Sequence, residues 1–431
     1  MPARVKRALI ALLTFTIALA GALVYVRVLR HPPFTWLWIL ALLLLGSLTL
    51  LLALTLLLRD NTRGRALLAK VWLLVVTVSM TYAIAELVSS ALLVERLSPP
   101  MTRDRYRHHK LVPNTRSEFK RRDYRYVQTV NNAGLRGEDI QLQAARERYR
   151  ILMLGDSFTM GKGVANDQTF SALLEHSLRM NKVTYQGRPV EVLNAGVNSY
   201  APILSYLQLT TDLQRLEPDL VVLNLDMSDL VQEMAYRRRA TYATDGAIIG
   251  VDGRRPLATR VREWIDRNLF ITRLILFHVA PPRETTVEDV VTRANPGLIR
   301  HTLVNDTVDR GEQWRQVFDS IVRIQRYCDS KRIKFLLTVY PWGHQVSDQE
   351  WIPGRFAFVP KEASVSDKSL ETIREFARNN DIHLLDVFPA FRAYRGGSRL
   401  YFHDDIHWTE TGHKLMAEEL ERYIRAIYFR E

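Results

Sequence analysis

From Arg148 onward, short apolar runs alternate with segments of helical periodicity, and this alternation constrains the fold more than any other feature of the sequence. Runs of this length are typical of strands buried on both faces, and strands that alternate with helices form a parallel sheet covered by helices on both sides. The pattern therefore predicts an α/β domain over residues 148–431. The candidate strands are Ile151–Leu154, Val190–Leu193, Leu220–Leu225, Ile333–Tyr340 and His383–Val387, and the candidate helices are Phe170–Met180, Pro202–Leu216, Gln313–Asp329, Lys368–Asn379 and Thr409–Phe429.

The alternation is interrupted by an insertion at about residues 230–312. Asp245-Gly246 and Asp252-Gly253 are turn dipeptides that predict a hairpin. Val261–Val279 has the spacing of an amphipathic helix. Such a helix can cover a site as a lid, lean on a membrane or simply pack against the domain, and its sequence alone leaves these three interpretations open.

Three apolar segments precede the domain, at roughly Ala8–Val26, Phe34–Leu58 and Val71–Val94. Each reaches the roughly 20 residues that a helix needs to cross a bilayer. Residues 1–95 are therefore predicted to be a membrane region with three transmembrane helices, and the polar, basic residues 96–147 a stalk and lead-in. Glu86 lies in the third segment, where a carboxylate must be paired, face the helix bundle or have a function.

The distribution of Lys and Arg predicts the orientation of these segments. Basic residues are concentrated before the first segment and between the second and third, which places both regions in the cytoplasm. Three crossings then put the domain on the extracytoplasmic side of the cell (inner) membrane, although further basic residues follow the third segment. If the first segment is instead a signal peptide cleaved near Ala18-Leu19-Ala20, the domain is still exported.

The formal net charge of +13 is compatible with anionic lipid or polysaccharide as a neighbour, or with a basic surface that has no special partner. The sequence contains no nucleic-acid-binding motif, so we expect no nucleic-acid partner. A single cysteine, Cys328, excludes an intramolecular disulfide and a cysteine-based metal site. His403, His407 and His413 do not have a recognised metal-ligand spacing, and we expect neither a metal nor a cofactor.

Two distant stretches carry residues suited to nucleophilic chemistry. The first predicted strand ends at Gly155-Asp156-Ser157, which either forms a simple turn or presents the Ser157 hydroxyl at the carboxyl edge of the sheet. His407 lies just before Thr409, a plausible helix N-cap. Asp404 is three residues earlier, from where its carboxylate can orient the imidazole toward a hydroxyl. Asp405 is the alternative orienting carboxylate.

Gly155-Asp156-Ser157-Phe158 and Asp404-Asp405-Ile406-His407 resemble the first and last blocks of the SGNH, or GDSL, hydrolase superfamily. The resemblance extends over about residues 112–431. It implies a three-layer α/β/α, flavodoxin-like fold and a catalytic triad of Ser157, His407 and Asp404. Members of this superfamily are esterases, lipases, carbohydrate deacetylases and some polysaccharide O-acetyltransferases.

The middle blocks of the superfamily match less completely. Gly196 in Asn194–Asn198 fits the glycine whose N–H helps to bind the oxyanion. At the third block, Asp226 replaces a glycine and Ser228 replaces the oxyanion asparagine. Three interpretations follow. The Ser228 hydroxyl donates to the oxyanion in place of the asparagine amide, another residue such as Asn198 supplies that donor, or the domain is slow or inert. Tyr340–His344 ends a strand at the same sheet edge, where Trp342 and His344 either line the substrate pocket or form a turn. Asn198 is a further candidate substrate-binding residue.

The resemblance implies a membrane-anchored serine ester hydrolase that acts on an acyl ester, most simply an acetyl ester, outside the cytoplasm. The expected partners are an acylated carbohydrate or small ester, the lipid bilayer and an envelope polysaccharide assembly. Asp405-Ile406-His407-Trp408 resembles the Asp-x-His-Trp of alginate-type O-acetyltransferases, so transfer to a sugar hydroxyl is one alternative. A catalytically impaired domain that binds envelope glycan is the other.

Overall fold

A computed structural model describes residues 62–93, 101–141, 147–254, 261, 264–265, 268–279 and 296–429. The chain divides into two compact units, one formed by Met1–Arg96 and Leu257–Pro282 and the other by Leu97–Pro256 and Arg283–Glu431. Part of the predicted insertion thus groups with the N-terminal unit, and the predicted lead-in groups with the α/β domain. The first two predicted membrane spans, Ala8–Val26 and Phe34–Leu58, lie outside the described residues.

The described strands all belong to the second unit. They are β1 Met101–Arg103, β2 His109–Leu111, β3 Thr115–Lys120, β4 Arg125–Val130, β5 Tyr149–Leu154, β6 Thr184–Tyr185, β7 Arg188–Asn194, β8 Leu220–Leu225, β9 Ala240–Tyr242, β10 Ile248–Val251, β11 Lys334–Val339 and β12 Leu384–Asp386.

The α-helices occur in both units. They are α1 Thr62–Leu93, α2 Ser157–Met160, α3 Phe170–Met180, α4 Pro202–Thr211, α5 Asp229–Arg237, α6 Phe270–Val279, α7 Gly311–Lys331, α8 Gly343–Val346, α9 Lys368–Asn379, α10 Phe388–Ala393 and α11 Glu410–Ile427. Of these, α1 and α6 belong to the first unit.

A six-stranded sheet in the order β12-β11-β8-β5-β7-β6 forms the centre of the second unit. Its strands are parallel except for β6, which pairs antiparallel with β7. Every residue of β5 and β8 is buried, which explains why these strands are apolar except at Arg150 and Asn224. The predicted α/β fold with a parallel sheet is confirmed, and the order of its parallel strands is that of flavodoxin-like sheets.

The helices that cover the sheet begin and end where local sequence signals place them. Thr169 precedes α3 and accepts a hydrogen bond from the N–H of Ala172. Thr409 precedes α11 and accepts one from Gly412, which confirms it as the predicted N-cap. The two helices pack side by side, and each contributes apolar side chains to the core that covers the sheet. The capped N-termini of α3 and α11 therefore mark where the loops that precede them end.

The β3–β4 and β9–β10 hairpins form separate two-stranded sheets in the second unit. In the first, β3 pairs with β4, and the register runs from Thr115 opposite Val130 to Lys120 opposite Arg125. Part of the predicted stalk therefore forms a regular β-hairpin. β9 and β10 pair around Asp245-Gly246, where Gly246 adopts a φ of 78°. The first predicted turn dipeptide therefore closes a hairpin, because glycine tolerates positive φ. Asp252-Gly253 instead follows β10.

In the first unit, α1 coincides with the third predicted span. Its stretch Trp72–Ala91 is 20 residues long with a mean hydropathy of 1.6, so by length and composition it can cross a membrane. The shorter α6 packs against α1 within the same unit. The predicted amphipathic helix Val261–Val279 is thus described as a helix over its second half.

Candidate active site

Ser157 follows β5 directly, at the sharp turn from strand to helix. Gly155 adopts a φ of 148°, and a Cβ on it would lie 2.3 Å from Thr159 Oγ1, so only glycine fits this turn. The Asp156 carboxylate then accepts a hydrogen bond from the N–H of Phe158 at 2.9 Å and caps α2. Ser157 therefore begins a helix at the carboxyl edge of the sheet, which is the position that the sequence predicts for it.

The C-terminal end of α2 is held by Arg136 from the lead-in. Its guanidinium donates to the carbonyl oxygens of Met160, at 2.7 Å, Gly161 and Val164, and to Asn166 Oδ1 at 2.9 Å. Burial lowers the pKa of Arg136 to about 10, so the side chain stays charged at neutral pH. This role could not be predicted from the sequence, because the acceptors belong to a turn that only the fold brings to Arg136.

His407 lies beside Ser157. Its Nε2 is 2.7 Å from Ser157 Oγ, and its Nδ1 makes a close hydrogen bond with Asp405 Oδ1. His407 and Ser157 are both buried. An imidazole held in this way has a fixed tautomer and can take the proton of the hydroxyl.

The carboxylate on His407 is that of Asp405 and not that of Asp404, so the predicted contact of Asp404 is corrected. The N–H of His407 donates to Asp405 Oδ1 at 3.2 Å, and this tight turn puts the carboxylate two residues back beside the ring. The Asp404 carboxylate instead pairs with the exposed Arg122 at 3.2 Å. Spacing in the sequence could not distinguish the two acids.

The turn that carries Asp405 is held by the β3–β4 hairpin. Asp123 Oδ2 accepts from the N–H groups of Asp404, at 2.6 Å, and Asp405, at 2.8 Å. Tyr124 donates its hydroxyl to Asp405 Oδ2 at 2.8 Å. Residues from the lead-in thus complete the site, although the sequence pattern marked this segment only as an irregular connection.

Burial and charge set the protonation states of the pair. Burial lowers the pKa of His407 below 6.5; the negative charge of Asp405 opposes this effect, and the positive charge of Lys162 adds to it. Burial alone would raise the pKa of Asp405, but the interactions with His407 and Lys162 outweigh it and hold that pKa well below 3.8. At neutral pH the site therefore contains a neutral imidazole and a carboxylate.

Gly196 lies against α2, as expected for a residue of the oxyanion loop. A Cβ on Gly196 would lie 2.2 Å from the backbone nitrogen of Met160, so no other residue permits this approach. The N–H of Gly196, however, donates to Asn194 Oδ1 at 3.1 Å. Asn198 is half-buried on the same loop, and its carbonyl oxygen lies 2.7 Å from His109 Nε2. The predicted Gly196 donor therefore already has an acceptor within the protein.

Ser228 is also engaged within the protein. Its hydroxyl donates to Asp226 Oδ1 at 2.7 Å, and the same carboxylate accepts from Trp342 Nε1 at 2.7 Å. Asp226, which stands where the superfamily has glycine, thus accepts the hydrogen bond of Ser228, which stands where the superfamily has asparagine. This geometry does not match the predicted role of Ser228 as an oxyanion donor. Within the residues described, no group of three or more His, Cys, Asp or Glu side chains is arranged to hold a metal ion.

Trp342 and His344 do not line an open pocket in this structure. Both side chains are almost fully buried. Trp342 Nε1 donates to the Asp226 carboxylate, and His344 Nε2 lies 2.8 Å from the Thr302 hydroxyl. The predicted pocket role is therefore corrected for both residues. They follow β11 at the sheet edge, but the chain after them covers their side chains, as the contacts of Trp342 with Trp351 and Phe358 illustrate.

The sequence profile of the GDSL-like Lipase/Acylhydrolase family matches residues 153–415, which include Ser157, Gly196, Ser228, Asp405 and His407. The chain belongs to this family. The predicted superfamily resemblance is thereby confirmed, and the GDSL-like protein is an ester-bond hydrolase. No curated protein gives a significant match to the sequence.

Solved structures with a similar fold include several esterases. The acetyl xylan esterase AlAXEase is 15% identical, with a TM-score of 0.35 over 64% of this chain and 99% of that one. The psychrotrophic esterase EstA from Pseudoalteromonas sp. is 13% identical, with a TM-score of 0.35 over 65% and 100%. A catalytic mutant of Axe2, an acetylxylan esterase from Geobacillus stearothermophilus, is 11% identical, with a TM-score of 0.34 over 64% and 94%.

Proposed function

We propose that the GDSL-like chain is a membrane-anchored serine esterase that cleaves an acyl ester, most simply an acetyl ester of a carbohydrate, outside the cytoplasm. The observation that carries this proposal is the hydrogen-bonded series from Ser157 Oγ through His407 to Asp405. A serine hydroxyl is a weak nucleophile unless a base removes its proton, and the neutral imidazole of His407 is that base. Asp405 keeps the imidazole oriented and stabilises its protonated form.

The reaction then proceeds in two acyl transfers. His407 Nε2 takes the proton of Ser157 Oγ while that oxygen bonds to the ester carbonyl carbon. The imidazolium returns the proton to the alcohol oxygen as the carbon–oxygen bond breaks, which leaves an acyl-serine. Water attacks the acyl-serine with the help of His407, and the carboxylic acid and free Ser157 are released.

The backbone N–H of Ser157 is the first oxyanion donor in this proposal. It lies at the beginning of α2, where helical N–H groups lack intrahelical partners, and among the described residues it has no acceptor. The N–H of Gly196, on the loop packed against α2, becomes the second donor if it leaves Asn194 when substrate binds. Ser228 supports Asp226 and does not contact the oxyanion.

Membrane anchoring and export rest on the apolar N-terminal segments. α1 is long and apolar enough to cross a bilayer, and the distribution of Lys and Arg favours an extracytoplasmic domain. An acylated polysaccharide of the cell envelope is a substrate suited to this location.

Two sequence features support other candidates. Asp405-Ile406-His407-Trp408 resembles the motif of polysaccharide O-acetyltransferases, and in a transferase a sugar hydroxyl replaces water in the second step. The altered third block with Asp226 and Ser228 favours an impaired domain that only binds glycan. The three candidates differ in what happens to an acyl donor: hydrolysis, transfer or no reaction.

Turnover by the full chain in detergent distinguishes these candidates. We expect saturable release of acetate from p-nitrophenyl acetate and from acetylated oligosaccharide, with slower release of longer acyl groups. Mass spectrometry of reactions that contain an unacetylated oligosaccharide detects transfer. A folded protein that gives no turnover above the Ser157→Ala background with any donor contradicts the proposed esterase.

The pH dependence of kcat/KM should report the protonation of His407. Because burial holds the pKa of His407 below 6.5, activity should rise with pH to a midpoint below 6.5 and be constant near neutrality. The Lys162 ammonium, 3.9 Å from Asp405 Oδ2, disfavours the imidazolium, so Lys162→Met should raise the midpoint. A midpoint above 6.5, or a lower midpoint in Lys162→Met, contradicts this assignment.

Ser228→Ala should leave kcat within about threefold of the wild type, because its hydroxyl is bound to Asp226. Loss of a true oxyanion donor would lower kcat by about 10²–10³-fold. The variant should instead lower the free energy of unfolding by about 1–3 kcal/mol, since Asp226 loses a donor. Steady-state kinetics together with thermal unfolding measure both effects. A large fall in kcat at unchanged stability would restore Ser228 as an oxyanion donor.

Tyr124→Phe should lower kcat/KM by roughly 3–30-fold, because it removes a hydrogen bond to the charged Asp405. Tyr124 acts as a positioning residue through Asp405, so KM should change little while the acidic limb of the pH profile shifts. Tyr242→Phe, on an exposed hairpin, is the matched control. Equal activity and equal pH profiles in both variants would contradict a role for Tyr124.

A further inference from the structure

The helix α6 begins on the carboxylate of Glu86, although 184 residues of sequence separate Glu86 from Phe270. The first three N–H groups of α6 donate to this carboxylate, from Phe270 at 2.5 Å, Ile271 at 3.0 Å and Thr272 at 2.8 Å. A carboxylate at a helix N-terminus satisfies N–H groups that have no intrahelical partner and interacts favourably with the helix dipole. Glu86 is therefore the N-terminal cap of α6.

Three hydroxyl groups complete the environment of Glu86. Thr272 Oγ1 lies 2.7 Å, Ser90 Oγ 2.8 Å and the Tyr82 hydroxyl 3.3 Å from its carboxylate oxygens. Glu86 is only 7% exposed, whereas Leu87 and Val88 beside it are exposed. An ionised carboxylate is costly in an apolar setting unless hydrogen bonds compensate it. The acid within the apolar α1 is thus explained by α6.

The contacts also fix the direction of α6 along α1. The N–H of Phe270 donates to Ser90 at 3.1 Å, whereas Thr272 Oγ1 lies 2.5 Å from the hydroxyl of Tyr82, two turns earlier in α1. α6 therefore runs antiparallel to α1, away from the C-terminal end of its apolar stretch. Its ten residues span about 15 Å, which is half of the roughly 30 Å hydrocarbon core of a bilayer.

Apolar side chains are exposed on the described parts of both α1 and α6. Leu274 is 53% and Ile275 49% exposed on α6. On α1 the exposed apolar side chains include Leu73, Leu74, Val75, Val78, Ile84 and Leu87. A soluble surface rarely presents so continuous an apolar area, whereas lipid acyl chains cover it without cost. Trp72–Ala91 is long and apolar enough to cross a membrane, and α6 packs against α1. Lipid acyl chains therefore fit the exposed faces of both helices.

We propose that α6 is a re-entrant helix, which enters the bilayer beside the C-terminal half of α1 with its N-terminus capped by Glu86. Lipid acyl chains then cover Leu274 and Ile275. The insertion in the α/β domain sequence becomes a second membrane attachment of the chain, in addition to α1. This inference rests on the proposed membrane anchoring and is independent of ester cleavage.

Spin labels on the full chain in phosphatidylcholine–phosphatidylglycerol vesicles test the position of α6. Leu274→Cys and Ile275→Cys carry the labels, and Ile249→Cys, 49% exposed in β10, is the matched control. Native Cys328 is buried, and burial raises the pKa of its thiol to about 12, so the wild type should remain unlabelled. We expect labels at 274 and 275 to collide several-fold more often with oxygen than with a water-soluble nickel chelate, and the reverse at 249. Labels at 274 and 275 that behave like the one at 249 overturn the proposal.

The role of Glu86 is tested by Glu86→Ala and the milder Glu86→Gln, with Ser79→Ala on the exposed side of α1 as control. Without the cap, the label at 275 should become several-fold more accessible to the nickel chelate in Glu86→Ala and less so in Glu86→Gln. Unchanged accessibility in both variants removes Glu86 from the proposal. Fluorophosphonate labelling of Ser157 in the same vesicles separates the two proposals. Reactive Ser157 with water-exposed labels contradicts only the re-entrant helix, and unreactive Ser157 with lipid-exposed labels contradicts only the esterase.

Discussion

Asp405→Asn is expected to lower kcat by about 10³–10⁴-fold, whereas Asp404→Asn should change it by less than about threefold. Asp405 accepts the hydrogen bond of His407 Nδ1, and asparagine at this position stabilises the wrong tautomer, in which Nε2 carries the proton. The Asp404 carboxylate instead forms an ion pair with the exposed Arg122. The two variants change adjacent residues in the same way, but only Asp405 contacts the imidazole.

Steady-state kinetics on both variants, with thermal unfolding as a check on folding, distinguish the two acids. Asp405→Asn should retain KM within a few-fold, because the loss occurs in proton transfer rather than in binding. If Asp404→Asn shows the large loss and Asp405→Asn does not, the turn at residues 404–407 has the alternative arrangement, and the superfamily spacing identifies the acid after all.

Ser157→Ala is expected to lower kcat by about 10⁴–10⁶-fold, because no other group can form the acyl intermediate. Ser171→Ala is the matched control. Ser171 is buried at the beginning of α3, and its hydroxyl has no hydrogen-bond partner among the described residues, so its removal should affect neither activity nor stability. Residual turnover in Ser157→Ala near the wild-type rate would remove Ser157 from the mechanism.

Binding measurements on Ser157→Ala extend this test to the alternative of a glycan-binding domain. The esterase should still bind an acetylated oligosaccharide after the hydroxyl is lost, but should no longer release acetate from it. A domain that has lost its chemistry should bind equally before and after the substitution, and neither form should release acetate. Isothermal titration and acetate release on the same samples give both quantities.

The strands were predictable because burial on both faces favours apolar residues at successive positions. β5 and β8 are buried at every position and are apolar except at Arg150 and Asn224. Ser157 and His407 were predictable because each adjoins an element with a clear boundary, the end of β5 and the N-cap of α11. Local sequence determines such boundaries, so the chemistry attached to them could be inferred.

The orienting acid and the oxyanion donors depend on contacts that local sequence does not contain. Asp405 is held by Asp123 and Tyr124, which are more than 280 residues earlier in the chain. The Ser228 hydroxyl is directed by Asp226, and a short hydroxyl can rotate to any nearby acceptor. In each case the choice between adjacent groups is made by tertiary structure.

The position of the helix in the insertion also depends on contacts that local sequence does not contain. A ten-residue apolar helix has the same pattern whether it covers a site, packs on a domain or lies in lipid. Glu86 appeared in the sequence only as an acid in an apolar segment. Its partnership with the N-terminus of α6 depends on residues 184 positions away, which local sequence does not reveal.

The most direct test of Ser157 as the nucleophile is fluorophosphonate labelling of the full chain, followed by intact mass and peptide mapping. We expect one adduct per chain, located on Ser157, and formed much more slowly in His407→Ala and Asp405→Asn than in Asp404→Asn. A folded protein that forms no adduct, or one whose adduct lies on another residue, would contradict the assignment of Ser157, His407 and Asp405 as the catalytic groups.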